Sequence, residues 1–349
     1  GDPQVSFFRQ NYKRHTNFAI KPERMDYIGT FGSSNEVVIP IRSKGDLLSY
    51  VWIEATNINL KNDNAASLFS SAAAPTEFSL YIGGQEVCKM DSLFVAGVHN
   101  VLYNESQAKA SCATTCYGPG VATNATNNIS SGSYVIPFFF SEDWTKSLPL
   151  VGLQYHEVEI RIKLHSAWTK HDNTTASIPK VYGSYVYLDT EEREFFANNE
   201  QELLITQTQF QPMSKTDTSV DLTYFNHPVK AIHIACAEDN STKYSFTDAS
   251  LYINGTTLFE NMTYEYHNKV VPSRHCSILP ETLSVEPVTT WPFCLTMNKS
   301  QPTGSLNFSR IDNAKITING PASGDTPAAL RAYAVNYNIL RIKNGMGGV

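Results

Sequence analysis

The amino-acid sequence contains an internal repeat. Leu80–Gly84 reads LYIGG and Leu251–Gly255 reads LYING, 171 positions apart, and a Gly-Gly or Asn-Gly turn pair closes each apolar run. Upstream, Gly45–Ile53 (GDLLSYVWI) corresponds to Asn226–Ile234 (NHPVKAIHI) at an offset of 181, each with a turn signal before alternating apolar residues. One five-residue match alone proves little, but several matches in the same order indicate a tandem duplication.

Downstream matches keep this order and suggest where the two units divide. Pro137-Phe138 and Pro292-Phe293 lie 155 positions apart, and each opens a stretch that ends in an alternating segment. The offset shrinks along the chain, as expected if the second unit has shorter loops. A chain of 349 residues is long enough for two domains, each with its own core. We therefore predict a first domain at residues 1–195 and a second at residues 196–349.

Period-two alternation of apolar residues predicts strands in both units. Val158–Leu164 (VEIRIKL) alternates throughout, which places its four apolar side chains on one face of a strand. Similar runs occur at Val37–Ile41, Leu47–Ile53, Tyr182–Leu188, Ile205–Phe210, Lys315–Ile318 and Tyr333–Ile339. Capping signals predict short helices at Asp91–Tyr103 and Asp189–Ala197. The sequence thus predicts an all-β double jelly roll, two tandem eight-stranded antiparallel β-sandwiches with a few short helices in loops.

Charge and motifs argue against several functional classes. The net charge is −6 and Lys13-Arg14 is the longest basic run, which disfavours direct nucleic-acid binding. The histidines lack the paired spacing of a metal-binding cupin, and His156 lacks the second histidine of a zinc helix, so we interpret it as a satisfied strand-end histidine. Gly345–Gly348 is interpreted as a flexible tail. We predict no catalytic residues, no metal ligands and no cofactor, and we expect that the protein is not an enzyme.

The six cysteines form no Cys-x-x-Cys motif. Cys112 and Cys116 are the only close pair, and a local disulfide or half of a metal site remains open for them. Free or buried thiols in a reducing compartment are the favoured interpretation.

Nine Asn-x-Ser/Thr sequons are candidate N-glycosylation sites. They begin at Asn104, Asn124, Asn128, Asn173, Asn240, Asn254, Asn261, Asn298 and Asn307. The first three bracket the loop that lengthens the first unit, so we expect loops rather than strands to carry sugar.

Longer segments resemble a single family from one end of the chain to the other. They are Asp2–Ile20 (DPQVSFFRQNYKRHTNFAI), Leu148–Ile160 (LPLVGLQYHEVEI), Tyr187–Phe196 (YLDTEEREFF), Phe225–Lys230 (FNHPVK), Gln301–Ala314 (QPTGSLNFSRIDNA) and Tyr333–Gly348 (YAVNYNILRIKNGMGG). Together they resemble the major capsid proteins of nucleocytoplasmic large DNA viruses, and most nearly the algal-virus, iridovirus and mimivirus-like branch.

This resemblance implies a structural role in a virion. It implies a homotrimer of double jelly rolls that forms a pseudo-hexagonal capsomer and tiles the icosahedral capsid shell of a large double-stranded DNA virus. The implied partners are other copies of the chain, neighbouring capsomers, minor capsid proteins and N-linked glycans, with an internal viral membrane nearby and no direct nucleic acid. Assembly is expected in the cytoplasm of the infected host cell.

Two surfaces are assigned on the same basis. We expect the loop Tyr103–Ser133 to form an exposed, glycosylated tower. We expect Asp2–Ile20, with Arg9, Lys13, Arg14 and His15, to face inward or towards another subunit.

Two other functions remain open at this point. One is a minor capsid or spike-base protein of the same lineage. The other is a host-glycan-binding jelly roll that would use aromatic side chains as stacking platforms, with Trp52, Trp144, Trp168 and Trp291 as candidates.

Overall fold

The computed structural model describes residues 1–56, 75–99, 102–104, 131–166, 178–236, 244–277, 288–321 and 330–349. Its strands, in chain order, are β1 (Phe18–Met25), β2 (Glu36–Ile41), β3 (Leu47–Thr56), β4 (Glu77–Ile82), β5 (Gln85–Asp91), β6 (Ser131–Ile136), β7 (Leu148–Pro149), β8 (Val158–Lys163), β9 (Lys180–Leu188), β10 (Gln201–Met213), β11 (Ser219–Asp221), β12 (Pro228–Cys236), β13 (Asp248–Ile253), β14 (Thr256–Thr263), β15 (Val288–Pro292), β16 (Leu306–Asn307), β17 (Ala314–Asn319), β18 (Leu330–Lys343) and β19 (Met346–Gly348).

Helical segments are short and lie between strands. They are the α-helices α1 (Thr190–Asn198) and α2 (Val271–His275), the π-helical segments π1 (Phe94–His99) and π2 (Tyr266–Val270), and single 3₁₀ turns at Phe139–Ser141, Trp144–Lys146, Leu150–Gly152 and Phe308–Arg310.

The strands form four antiparallel sheets, two in each half of the chain. In the first half, one sheet has the order β1-β9-β3-β6 with β7 beside β3, and the other has the order β2-β8-β4-β5. The second half repeats this as β10-β18-β12-β15, with β16 and β19 attached, and β11-β17-β13-β14. Apart from the two- and three-residue strands β7, β16 and β19, each half has eight strands in equivalent positions. This arrangement is the predicted double jelly roll.

The repeated LYIGG and LYING sequences occupy equivalent hairpins. Gly83 and Gly84 connect β4 to β5, and Asn254 and Gly255 connect β13 to β14. All four residues have positive φ, between 47° and 81°, as a two-residue type I′ turn requires. The sequence repeat therefore reflects a turn requirement that both jelly rolls share.

Alternation predicts the buried faces well in the first sandwich. Along β8, Val158, Ile160 and Ile162 are at most 4% exposed, whereas Lys163 faces solvent. They join one large apolar cluster that fills the first half and extends into Tyr333 and Val335 of the second, and another cluster fills the second half around Trp291. Each half thus has a buried core, and that of the first is continuous with the contact between the halves.

Of three further local predictions, two need correction. Gly345–Gly348 is not a flexible tail, because β19 pairs with β18 and the Gly347 N–H donates to His156 Nδ1 at 3.1 Å. The helix predicted at Asp91–Tyr103 is confirmed at its start, because the chain is helical from Ser92 and Asp91, the last residue of β5, caps it by accepting a hydrogen bond from Phe94 N at 2.7 Å. The predicted tower ends too late, since Ser131 already begins β6; residues 105–130 of that loop lie outside the described ranges.

The other short helix and the domain boundary fall in the same place. Helix α1 is confirmed, and Asp189 caps it by accepting a hydrogen bond from Thr190 N at 2.8 Å. It connects β9 to β10, the last strand of one jelly roll to the first strand of the other. The boundary between residues 195 and 196 stays a prediction.

Candidate interaction surfaces

The two sandwiches meet along a seam within the chain. Strand β5 and segment π1 of the first sandwich pack against β10 and β12 of the second. The stretch of β18 from Ala332 to Val335 is consequently buried on both faces: Tyr333 and Val335 on one side and Ala332 and Ala334 on the other are at most 4% exposed. In an isolated sandwich, the outer face of such a strand would be exposed to solvent.

A buried ion pair joins the sandwiches at this seam. The Asp91 carboxylate is 1% exposed and contacts Arg331 Nη1 at 2.7 Å, and it also accepts hydrogen bonds from Tyr333 Oη at 2.8 Å and Phe94 N at 2.7 Å. Burial raises the pKa of Asp91, although the Arg331 guanidinium and the hydrogen bonds act in the opposite direction. Because a buried carboxylate needs such partners, this contact fixes the seam in one register.

A second cluster of polar side chains lies at the same seam. The Lys230 ammonium is buried, donates to the Met297 carbonyl oxygen at 2.8 Å and sits 4.7 Å from the centre of the Tyr103 ring. Tyr103 Oη in turn lies 2.6 Å from His233 Nε2, and His233 Nδ1 lies 2.9 Å from Thr290 Oγ1. Burial lowers the pKa of His233 to about 3 and also lowers the pKa of Lys230.

A small cleft opens beside this group. It is lined in part by Phe94, His99, Glu142 and Lys230. Burial raises the pKa of Glu142, but the ammonium groups of Lys146 and Lys230 and its hydrogen bonds outweigh this, so its pKa lies below the ordinary value. Lys146 Nζ contacts the Glu142 carboxylate at 2.8 Å. The charges at the seam thus compensate one another and serve to join the sandwiches.

The outer face of the first sandwich carries an exposed aromatic group, here called the aromatic platform, made of Tyr50, Trp52, Tyr182 and Trp144. Trp52 stacks on Tyr182 with ring centroids 5.5 Å apart and an interplanar angle of 19°, and Tyr50 lies 5.4 Å from Trp52. Trp144 is 57% exposed, and the other three are half-buried. Such a surface is typical of a partner-binding face.

The N-terminal segment is a second exposed surface. Phe7 and Phe8 are 97% and 98% exposed, and Arg9, Lys13 and Arg14 beside them are also exposed. Two fully solvated phenylalanines in sequence are unfavourable in an isolated molecule. The segment is therefore suited to contact with another molecule.

The structure describes five of the nine sequons. Asn254 and Asn261 are exposed, and their side-chain oxygens accept hydrogen bonds, from Asp312 N for Asn254 and from Ser250 Oγ for Asn261.

The other three described sequons are half-buried. The Asn298 amide nitrogen, the atom that would carry sugar, donates instead to Ser277 Oγ at 2.7 Å and to the Asn104 carbonyl oxygen at 3.3 Å. Asn307 Oδ1 accepts from Ser309 N at 3.1 Å. Asn124, Asn128, Asn173 and Asn240 lie outside the described ranges, as do Cys112, Cys116 and Trp168.

The seam residues were not identified from the sequence. A signal was present, because β18 reads as a nearly continuous apolar run, Ala332 to Val335, which indicates a strand buried on both faces. The partner of Arg331 had no such signal, since Asp91 lies 240 positions away.

Metal and membrane features are absent from the described part of the chain. No three His, Cys, Asp or Glu side chains there are grouped as a metal site requires. No helix among the same residues has the length and apolar character needed to span a bilayer.

Comparison with known proteins gives one consistent family. The family model described as the major capsid protein N-terminus matches residues 6–189, and the model described as the large eukaryotic DNA virus major capsid protein matches residues 235–348. The major capsid protein of Pyramimonas orientalis virus is 29% identical over 387 residues, covering 100% of this chain and 94% of the relative. That of Paramecium bursaria Chlorella virus 1 is 28% identical over 428 residues, covering 100% and 95%.

Solved structures agree with the family models. The quasi-atomic model of the PBCV-1 virus capsid matches with a TM-score of 0.78 and 26% identity over 98% of this chain and 99% of that chain. The Faustovirus major capsid protein matches with a TM-score of 0.70 at 10% identity over 97% and 93%, which supports the double jelly-roll fold alone. The chain therefore belongs to the major capsid proteins of large eukaryotic DNA viruses.

Proposed function

We propose that three copies of this chain form a homotrimeric, pseudo-hexagonal capsomer that tiles the icosahedral shell of a large double-stranded DNA virus. The observation that carries this proposal is the direction of the internal seam. Strand β5, from the four-stranded sheet of the first sandwich, packs against β10, from the six-stranded sheet of the second. Two similar units are thus joined head to tail, and head-to-tail contacts generate rings when the rotation closes.

A head-to-tail pair leaves one unmatched face at each end. The first sandwich leaves the outer face of its five-stranded sheet open, where the aromatic platform lies. The second leaves β14 open, with Thr256, Glu260, Asn261 and Thr263 all exposed. Three chains joined through these faces would place six similar sandwiches around one axis.

We propose a structural role without enzymatic activity, in the capsid shell of the virion. Neighbouring capsomers and minor capsid proteins would be the remaining partners, with an internal viral membrane near the inner side, and assembly would take place in the host cytoplasm. The exposed Phe7 and Phe8, and the basic residues that follow them, support placing Asp2–Ile20 on the inward side or at a subunit contact.

Native mass spectrometry tests the capsomer. We expect a stable species at three times the 38.8 kDa of one chain, plus any attached sugar. A monomer at micromolar concentration would contradict the proposal. Copy number per virion then separates a major capsid protein, present in every capsomer, from a minor or spike-base protein that sits at the vertices.

Glycosylation remains a proposal for all nine sequons. Exposure favours Asn254 among the described ones, whereas Asn261 lies on the β14 face proposed to join the next copy, and the hydrogen bonds of the Asn298 amide nitrogen disfavour that residue. Site-resolved mass spectrometry of virions should find sugar on Asn254 and none on Asn298. The reverse pattern would show that burial in this fold does not govern modification.

One observation favours a second candidate function, the binding of host glycans. Trp52 and Trp144 belong to the aromatic platform, a surface of the kind on which sugar rings stack, whereas Trp291 is fully buried and unsuited to this role. A glycan array with the monomeric protein tests it, because the proposed trimer would cover the platform. Glycan binding that Trp144→Ala abolishes, with the fold of the variant intact by circular dichroism, would support this function.

A further inference from the structure

The β-bulges align the two sandwiches residue by residue. In the first, the pairing of β3 with β9 shifts register between Leu48 and Tyr50. In the second, the pairing of β12 with β18 shifts between Val229 and Ala231, at the offset of 181 already present in the sequence repeat. A bulge marks one specific register, so Tyr50 occupies the position of Ala231.

The same alignment extends across the neighbouring strands. Trp52, which pairs with Tyr182, corresponds to His233, which pairs with Tyr333. His233 and Tyr333 are fully buried by the first sandwich, but Trp52 and Tyr182 remain half-exposed on the aromatic platform. The platform is thus the open equivalent of a surface that is covered elsewhere in the same chain.

The segment that covers Tyr333, from the end of β5 into π1, has an equivalent in the second sandwich that nothing in the described chain covers to the same extent. Asp91 ends β5 and accepts a hydrogen bond from Phe94 N at 2.7 Å, at the start of π1. Thr263 ends β14, and its Oγ1 accepts from Tyr266 N at 3.3 Å, at the start of π2. Phe94 is 2% exposed, whereas its equivalent Tyr266 is half-exposed.

The internal contact supplies the geometry of the missing one. The rings of Phe94 and Tyr333 lie 5.4 Å apart at the seam. We infer that Tyr266 of one copy packs against Tyr182 on the aromatic platform of the next copy, which repeats the Phe94–Tyr333 contact between chains. This inference rests on the proposed trimer and names the surfaces that build it.

The two seams would differ in chemistry. Within the chain, Arg331 and Asp91 form a buried ion pair. Their equivalents at the proposed contact are Lys180 and Thr263, both exposed, which form no such pair. The seam between chains would therefore rely on aromatic packing. Because salt screens charge–charge interactions and hardly weakens aromatic packing, the trimer should persist at high ionic strength.

Photo-crosslinking of the full chain tests the contact. With Tyr266 replaced by p-benzoylphenylalanine, illumination should link two chains, and peptide mapping should place the link in β9 near Tyr182. The matched control replaces Tyr224, which is 73% exposed and lies outside both seams. We expect no link to β9 from that position.

Substitution provides an independent measurement. Tyr182→Ala should raise the dissociation constant of the trimer at least about tenfold, as expected for an aromatic anchor. Tyr182→Phe keeps the ring and should leave the constant within about twofold. Circular dichroism of the monomeric fraction checks that each variant folds.

The outcomes separate the inference from the proposed function. A trimer whose crosslinks from position 266 map away from β9, or whose stability Tyr182→Ala leaves unchanged, overturns the inference but leaves the capsomer standing. A protein that stays monomeric overturns both.

Discussion

Replacing Asp91 tests whether the buried ion pair holds the two sandwiches in register. Its carboxylate accepts hydrogen bonds from Arg331, Tyr333 and Phe94 at 2.7–2.8 Å, and two of these donors, Arg331 and Tyr333, belong to the other sandwich. Asp91→Ala removes the acceptor of all three hydrogen bonds in one step. It also leaves a guanidinium at the seam without its carboxylate.

The structure sets the expected magnitude. Removing one partner of a buried ion pair costs about 3–5 kcal/mol in the free energy of unfolding. The Arg331 side chain is 19% exposed and can be partly hydrated, so we expect the lower end, about 3 kcal/mol. Asp91→Asn retains an oxygen that can accept from Phe94 N and Tyr333 Oη, so it should cost about 1–2 kcal/mol.

A double-mutant cycle isolates the pair. Arg331→Met keeps the aliphatic stem, and the combined Asp91→Asn, Arg331→Met variant should recover at least about 1 kcal/mol relative to the sum of the single losses. The matched control is Thr263→Ala, which removes the equivalent but exposed cap and should cost about 1 kcal/mol or less. Urea unfolding supplies the free energies.

Additive losses would refute the reasoning. In that case Asp91 and Arg331 would act independently, and the seam would be held by apolar packing alone. A loss of equal size for Thr263→Ala and Asp91→Ala would likewise show that the cap, and not the ion pair, matters.

Two further predictions concern pH and the turns. Burial lowers the pKa of His233 to about 3 and of His267 to about 4, both below the ordinary 6.5, so the unfolded chain binds protons more readily. Stability should be complete above about pH 6.5 and fall as the pH drops towards 4, by about 2 kcal/mol per histidine at pH 5. Equal unfolding free energies at pH 7.5 and pH 5 would contradict this. Gly84→Ala, at φ +81° with open space around its Cβ, should cost about 1 kcal/mol. Gly83→Ala should cost clearly more in the same urea assay, because its Cβ would lie 2.5 Å from His156 Nδ1, and equal costs would show that the His156 ring moves aside freely.

Local patterns predicted the parts of this fold that depend on near neighbours along the chain. The alternation in Val158–Leu164 identified the buried face of β8, and the cap at Asp189 identified the start of α1. The tail at Gly345–Gly348 was interpreted wrongly because its pairing partner is a strand and its anchor is His156, 191 positions away. Glycine-rich sequence carries no sign of such a distant contact.

The outer faces of the two sandwiches show the same difference between what local sequence predicts and what distant contacts decide. Tyr182 and Tyr333 are the same residue type at equivalent positions of equivalent strands, so no local pattern distinguishes them. Tyr333 is buried and Tyr182 is half-exposed because only the six-stranded sheet of the second sandwich is covered by a neighbour within the chain.

The sequence by itself determined the duplication, the all-β class and the strand faces, since turn pairs and period-two alternation act over a few residues. Only the tertiary structure decided which copy of each repeated surface lies in the internal seam, where Asp91 meets Arg331, and which copy stays open. The physical reason is that burial of a whole face depends on how two complete sandwiches dock, and docking joins side chains that are far apart along the chain.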